Sequence, residues 1–225
     1  MYSHIIFDLD GTLIESLPGI AAALNTALAA SKLPTHSIED VRTFIGDGSL
    51  TLCERAAPDQ SSETIHVIHE TFLAEYPKAW KSGTTVFAGI HEVISELKGM
   101  GCTLSILSNK VHEFTTEMAD YFFPEKPFDL VLGQREGIAK KPDPSGIHEL
   151  LGELDKSSSN SILVGDSTID VITARNAGIK SLAVTWGYHD KSALKAVSPT
   201  LTAHKVPQIL ELLTPTQVPS FRQPA

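Results

Sequence analysis

Two aspartates one residue apart, Asp8 and Asp10, close the apolar run Ile5-Ile6-Phe7 and lead into Gly11-Thr12-Leu13. Strand side chains alternate between faces, so the two carboxylates share a face if the strand runs on, and a turn at Gly11 leaves both near its carboxyl end. Open α/β sheets gather their ligands at that end. Carboxylates this close repel, and one pKa rises unless a proton or cation intervenes. The pattern therefore points to a divalent metal, an acid/base pair, or both. The same residues also fit a plain Asx-type turn, because Asp and Gly are common turn formers.

Three further segments end apolar runs with polar groups. In Leu104-Ser105-Ile106-Leu107-Ser108-Asn109-Lys110 a hydroxyl and an amide stand at a strand-to-helix junction, whose free N–H groups can hold a phosphate. Lys140-Lys141-Pro142-Asp143-Pro144 is a basic pair fixed by flanking prolines. Ile162-Leu163-Val164-Gly165-Asp166-Ser167-Thr168-Ile169-Asp170 puts Asp166 at a strand end and Asp170 about one helical turn further on. Singly, each has an ordinary explanation: a helix cap at Ser108, a solvated charge at Lys141, a cap with a first-turn charge at Asp166 and Asp170. Together, four polar strand ends describe a site.

The elements that must carry these groups are readable in outline. Pro18 to Leu28 is rich in helix formers, with Pro18 tolerable at an early helical position. Ser37-Ile38-Glu39-Asp40 starts a second helix, Gly46-Asp47-Gly48 breaks the pattern, and apolar periodicity resumes from Leu50 and from Ile65 to Trp80. Residues from Glu15 to Gly83 thus read as all-helical. From Val86 the character changes. Helices are expected at His91–Lys98, from Val111, near Ser145–Leu151 and at Ile169–Ala177, and strands at Thr103–Leu107, Asp129–Leu132, Ser161–Val164 and Ser181–Val184. Alternation of this kind predicts an α/β fold with a Rossmann-like parallel sheet built by right-handed crossovers. The expected division is a core of residues 1–14 and 84–213, an inserted all-helical block of 15–83, and a proline-bearing tail of 214–225.

With these motifs in order, Asp8-x-Asp10-Gly11-Thr12, Ser108-Asn109, Lys141-Pro142 and Gly165-Asp166-Ser167-x-x-Asp170, the chain resembles the haloacid dehalogenase-like hydrolases, in particular their phosphoglycolate phosphatase-like branch. The resemblance runs from His4 to about Leu213. It implies that Asp8 is a nucleophile that forms an aspartyl-phosphate, and that Asp10 protonates the leaving oxygen and then deprotonates the attacking water. It implies Mg²⁺ held by Asp8, Asp166 and the Asp10 backbone carbonyl, with Asp170 as outer support. Ser108, the Asn109 N–H and Lys141 would hold the phosphoryl oxygens. The helical insertion would be a cap, and the loop Phe44-Ile45-Gly46-Asp47-Gly48 resembles a substrate loop, so Gly46, Asp47 and Gly48 are candidate substrate contacts. Arg42 is a candidate partner for a substrate carboxylate, and exposed surface arginine is the ordinary reading. Trp186-Gly187-Tyr188 also resembles that branch. Glu15 departs from it, since many relatives carry aspartate there.

The expected activity is Mg²⁺-dependent hydrolysis of small phosphate monoesters. A sugar-phosphate mutase or pyrophosphatase of the same superfamily is the alternative, and a receiver-like phospho-aspartate switch is the non-enzyme alternative. Asp10 and the helical insertion count against the switch, and the full Mg²⁺ set counts against a dehalogenase. The 225 residues, 42% hydrophobic, are ample for a buried core. The formal charge of −9 without a Lys/Arg block argues against nucleic acid or an anionic membrane as partner. No apolar run is long enough to span a bilayer, and the first residues enter a strand instead of a leader pattern. Cys53 and Cys102 read as isolated buried thiols. A cytoplasmic monomer or homodimer is expected. His66 and His69 share a helix face, where solvation is a simpler reading than a metal pair.

Overall fold

The computed structural model describes residues 2–214, so the tail expected from 214 to 225 lies, beyond Thr214, outside the described residues. Among the described residues eight strands occur in chain order: β1 (His4–Phe7), β2 (Ile14–Glu15), β3 (Thr85–Val86), β4 (Thr103–Val111), β5 (Leu130–Gln134), β6 (Ser161–Gly165), β7 (Lys180–Val184) and β8 (Leu201–Ala203). Six of them form one parallel sheet in the order β5-β4-β1-β6-β7-β8. The chain thus builds outward from β1 in one direction, then returns to build in the other. That reversal opens a crevice at the carboxyl ends of β1, β4 and β6. Both faces are covered, which is why the central strands read as continuous apolar runs: every residue of β1 and of β6 is buried.

Between β2 and β3 lie α1 (Leu17–Ala30), α2 (Ile38–Phe44), α3 (Ser49–Ala56) and α4 (Ser62–Gly83). Pro18 does sit in the first turn of α1, and Ser37 caps α2 through a reciprocal box with Asp40. Gly19 lets α1 approach α4 closely, since a Cβ there would stand 3.0 Å from the Trp80 Cα. The remaining helices, α5 (Ile90–Gly99), α6 (His112–Phe122), α7 (Ser145–Glu153), α8 (Thr168–Asn176), α9 (Lys191–Ala196) and α10 (Gln208–Leu213), follow the sheet strands.

Three differences from expectation have physical causes. Glu15 is not helical: the two chain crossings that enter and leave the helical block pair as an antiparallel ribbon, Ile14 with Val86 and Glu15 with Thr85, which satisfies their backbone groups. Strand β4 continues to Val111 instead of stopping at Leu107, with a register shift against β5 beyond Leu107. Gly133 permits that shift, since a Cβ there would meet the Lys110 carbonyl oxygen and the His112 Cα at 2.7 and 2.6 Å. Strand β8 and helices α9 and α10 were not anticipated, being too short to show a period.

His4 ties the start of β1 to both neighbours, with Nδ1 3.2 Å from Ser161 Oγ and Nε2 2.6 Å from Ser105 Oγ. Burial pushes its pKa from 6.5 down to about 4, with Lys156 adding to the effect. A folded pKa below the unfolded one contributes stability fully above about pH 6.5 and loses it as pH falls toward 4. We expect the urea midpoint of the wild type to drop across that window more steeply than that of His4→Asn. Parallel curves would show that His4 is not the titrating group.

Candidate active site

The crevice collects the polar strand ends. Asp8 leaves β1 with its N–H bonded to the Val164 carbonyl at 2.8 Å, so its carboxylate emerges between β4 and β6. Lys141, on the loop before α7, reaches into the same space and is buried. Its Nζ donates to Asp8 Oδ1 at 2.9 Å, to Asp170 Oδ1 at 2.6 Å and to the Leu107 carbonyl at 3.1 Å, so all three ammonium protons are engaged. Burial alone would lower its pKa, but Asp170 and Asp8 outweigh that and hold the ammonium firmly protonated. Asp170 is fixed from its other side. Its Oδ2 accepts from Ser167 N and Oγ at 3.1 and 2.6 Å, and Ser167 Oγ accepts from Asp170 N, a capping box at the start of α8.

Asp166 is buried directly after β6, and its Oδ2 accepts from Tyr188 N at 2.6 Å. Gly11, at φ +78°, passes so close that a Cβ there would stand 2.5 Å from that oxygen, which explains the glycine. Asp8, Asp166 and Asp170 each offer an oxygen within 4.8 Å of the others. Burial pushes the Asp8 carboxyl up to about 7, against the pull of Lys141, and raises Asp166 well above the ordinary carboxylate range. No donor among the described residues reaches Asp8 Oδ2 or Asp166 Oδ1. Oxygen-only, anionic, buried and short of positive charge, this donor set fits a hard divalent cation such as Mg²⁺.

Asp10 goes elsewhere. The strand stops at Phe7, and the Leu9 carbonyl accepts from the N–H groups of Thr12, Leu13 and Ile14, so the chain turns before the two aspartates can share a strand face. The Asp10 carboxylate accepts from Ser16 Oγ at 2.5 Å and from Lys110 Nζ at 3.0 and 2.8 Å. In the sequence Lys110 is only the last residue of the Leu104–Lys110 segment. Its partner lies 100 residues away, and nothing local signals the pairing. Ser108 lines the cavity with its hydroxyl accepting from Lys110 N at 3.2 Å. The Asn109 side chain clamps the Lys141 backbone, accepting from its N–H at 2.8 Å and donating to its carbonyl at 3.0 Å.

A cavity of about 80 Å³ lies above these groups. Its floor is Asp8, Asp166, Ser108 and Lys141, and its upper wall is apolar, with Ile20, Leu52, Phe72 and Phe114. Of the candidate loop, Gly46 and Gly48 line the cavity, whereas the Asp47 carboxylate pairs with Arg55 on the outside. The loop is fastened to the core: Asn109 Nδ2 donates to the Gly46 carbonyl at 3.1 Å and Lys140 Nζ to that of Asp47 at 3.1 Å. Arg42 is exposed, as its ordinary reading has it, and its Nε and Nη2 donate to the carbonyls of Tyr188 and Gly187 at 2.8 and 2.9 Å, so it ties the helical block to the core instead of facing the cavity. The Tyr188 hydroxyl in turn accepts from Ser16 N and Leu17 N at 2.7 and 3.0 Å and donates to Glu15 at 3.0 Å. His69 Nε2 lies 2.8 Å from Ser49 Oγ, and His66 Nδ1 lies 2.6 Å from the Ser62 carbonyl. Burial pushes the Cys53 thiol up to about 12, so it is no thiolate at neutral pH.

A parallel sheet with carboxylates, a lysine and a hydroxyl at its strand ends, under an inserted helical block, defines the class. The family model for haloacid dehalogenase-like hydrolases matches residues 5–184. The chain is 32% identical to a phosphoglycolate phosphatase of Pectobacterium atrosepticum over 93% of its own length and 91% of the relative's. It is 31% identical to one of Vibrio parahaemolyticus, over 93% and 95%. A solved hydrolase of the haloacid dehalogenase-like family from Streptococcus pneumoniae superposes with a TM-score of 0.86 at 26% identity, covering 95% of this chain and 99% of that one. The chain belongs to the haloacid dehalogenase-like hydrolases, in their phosphoglycolate phosphatase-like branch, and is a phosphatase.

The capping box is the support most open to a direct test. Ser167→Ala removes the Oγ bond to Asp170 Oδ2 and the side-chain N-cap of α8 while keeping the backbone N–H bond of residue 167, and is expected to cost about 1–2 kcal/mol in urea unfolding. A change within error would mean that Lys141 and that backbone N–H suffice to fix Asp170.

Proposed function

We propose that the protein is a Mg²⁺-dependent hydrolase of small phosphate monoesters, phosphoglycolate-like in size, working through an aspartyl-phosphate on Asp8. The observation that carries this reading is the separation of the two motif carboxylates: Asp8 beside Lys141 and Asp166, and Asp10 beside Lys110 and Ser16. The first is poised as nucleophile with one free oxygen, the second as a proton carrier held off the metal cluster. Residues 1–14 and 84–213 would be the catalytic core and 15–83 the cap. A cytoplasmic setting is supported by two buried free thiols.

Asp8, Asp166 and the Asp10 carbonyl would hold Mg²⁺, with Asp170 behind them. When bound, the ion supplies the positive charge that lets an anionic carboxylate approach an anionic phosphate. Asp8 Oδ2 attacks phosphorus as the ester P–O bond breaks, and the leaving oxygen takes the proton of Asp10. Water then attacks the phosphorus, giving a proton back to Asp10, and the P–O bond to Asp8 breaks to release phosphate. Ser108, the Asn109 N–H and Lys141 would hold the non-bridging oxygens. The cavity of about 80 Å³, polar at its floor and apolar above, would take the phosphate below and its organic part above. Gly46 and Gly48 would meet that organic part, with Asp47 shaping the loop.

The test is a panel of phosphoglycolate, sugar phosphates, nucleoside monophosphates and pyrophosphate, with Mg²⁺ and with excess EDTA. Turnover is expected on the small esters and lost on chelation. Asp8→Asn should abolish turnover and covalent labelling, and Asp10→Asn should lower kcat by about 10²- to 10⁴-fold. A beryllofluoride adduct on Asp170 instead of Asp8, or full activity in EDTA, would sink the reading.

A further inference from the structure

Lys110 has no part in the chemistry above, yet it is the second buried ammonium of the cavity. Its side chain is 9% exposed and that of Asp10 13%. Two of its protons face the two Asp10 oxygens, and its Nζ stands 4.6 Å from the centre of the Tyr76 ring. Tyr76 belongs to α4 of the helical block, whereas Asp10 and Lys110 belong to sheet strand ends. The ring is itself fixed, stacked on Phe72 at 5.3 Å and edge-on to Phe114 at 5.3 Å, with its hydroxyl 3.7 Å from Met118 Sδ.

We infer that Lys110 is a positioning residue that holds Asp10 in its proton-transfer pose, and that Tyr76 makes this hold depend on the cap being closed. The inference rests on the reading of Asp10 as proton carrier. A carboxylate beside an acidic metal site is drawn toward the cation, and a two-pronged contact to Lys110, with Ser16 Oγ on the same group, pulls it the other way. In water such an ion pair has little strength, but under an aromatic face and out of solvent it is much stronger. Tyr76 supplies that face. When α4 lifts, water reaches Lys110, the pair weakens, and Asp10 is no longer fixed. Proton transfer is thereby confined to the state in which the cavity is covered.

The experiment compares p-nitrophenyl phosphate, whose leaving phenolate needs little protonation, with ethyl phosphate, whose alkoxide needs it. Asp10→Asn on this pair tests the underlying reading: equal losses on both esters would remove Asp10 as proton donor. Given a leaving-group-dependent loss there, Lys110→Met is expected to lower kcat on ethyl phosphate by on the order of 10²-fold and on the aryl ester by much less, with KM nearly constant. Tyr76→Leu should follow Lys110→Met in the same direction, and Tyr76→Phe, which keeps the ring face, should lose less. The double variant should be no worse than Lys110→Met alone, since both act on one pair. Lys110→Arg, which keeps the charge, should restore most of the selectivity between the esters. Equal losses on both esters for Lys110→Met, or a raised KM at constant kcat, would overturn the inference while leaving the role of Asp10 standing. Should Lys110→Met fail to fold, Tyr76→Leu decides: an unchanged ratio of the two esters overturns the inference.

Discussion

One ammonium among three buried carboxylates is the constraint on which the rest of the structure depends. Asp8, Asp166 and Asp170 lie within reach of one another, and Lys141 is hydrogen-bonded to two of them. A buried cluster with more acids than bases is unfavourable unless protons or a cation complete it. Burial raises the pKa values of Asp8 and Asp166 in answer to that deficit, and the three carboxylates are placed so that a divalent ion could meet it instead. The fold keeps this cluster together by making every member an attachment of the sheet. Asp8 and Asp166 follow neighbouring parallel strands, Asp170 is the third residue of the helix after β6, and Asn109 at the end of β4 grips both backbone groups of Lys141.

The helical block is bound to this cluster through the same residues. Asn109 that clamps Lys141 also donates to Gly46, and Tyr188, whose N–H holds Asp166, presents its hydroxyl to the start of α1 and its carbonyl to Arg42. These hydrogen bonds, most of them between neutral groups, are individually modest, and together they fix the block's position over the cluster. The β2–β3 ribbon carries the chain into and out of the block, two residues long on each side. From the block, Ile20, Leu52 and Phe72 place an apolar wall over the carboxylates and Lys141, and burial of this kind strengthens charge interactions beneath it.

Local signals are enough for five of the six sheet strands, the helical insertion and the four motif segments. Apolar runs, strand–helix alternation and the turn residues at Gly11 and Gly46–Gly48 each leave a mark within a few residues. Contacts between distant segments left none. Lys110 is one lysine among eighteen Lys and Arg residues until β4 is laid beside β1, and only then does it meet Asp10. Arg42 has the residue type that binds carboxylates, and its backbone carbonyl partners have no sequence signature at all. The ribbon of Ile14–Glu15 with Thr85–Val86 was missed for the same reason: two-residue strands carry no period, and their pairing spans the entire insertion.

The different surroundings of Asp8 and Asp10 follow from where the strand ends, not from their spacing. Had β1 continued through Asp10, the two carboxylates would face one way, repel, and compete for the same cation. The turn at Leu9 rotates Asp10 out of register, and Gly11 at positive φ completes it without touching Asp166. Each aspartate then acquires its own lysine, Lys141 from the loop before α7 and Lys110 from the end of β4. Two acids with separate cations can hold different protonation states in one catalytic cycle, which two acids sharing a cation cannot do independently. By turning at Leu9, the backbone makes a motif that reads as a pair of equivalent carboxylates into two inequivalent groups, each with its own lysine.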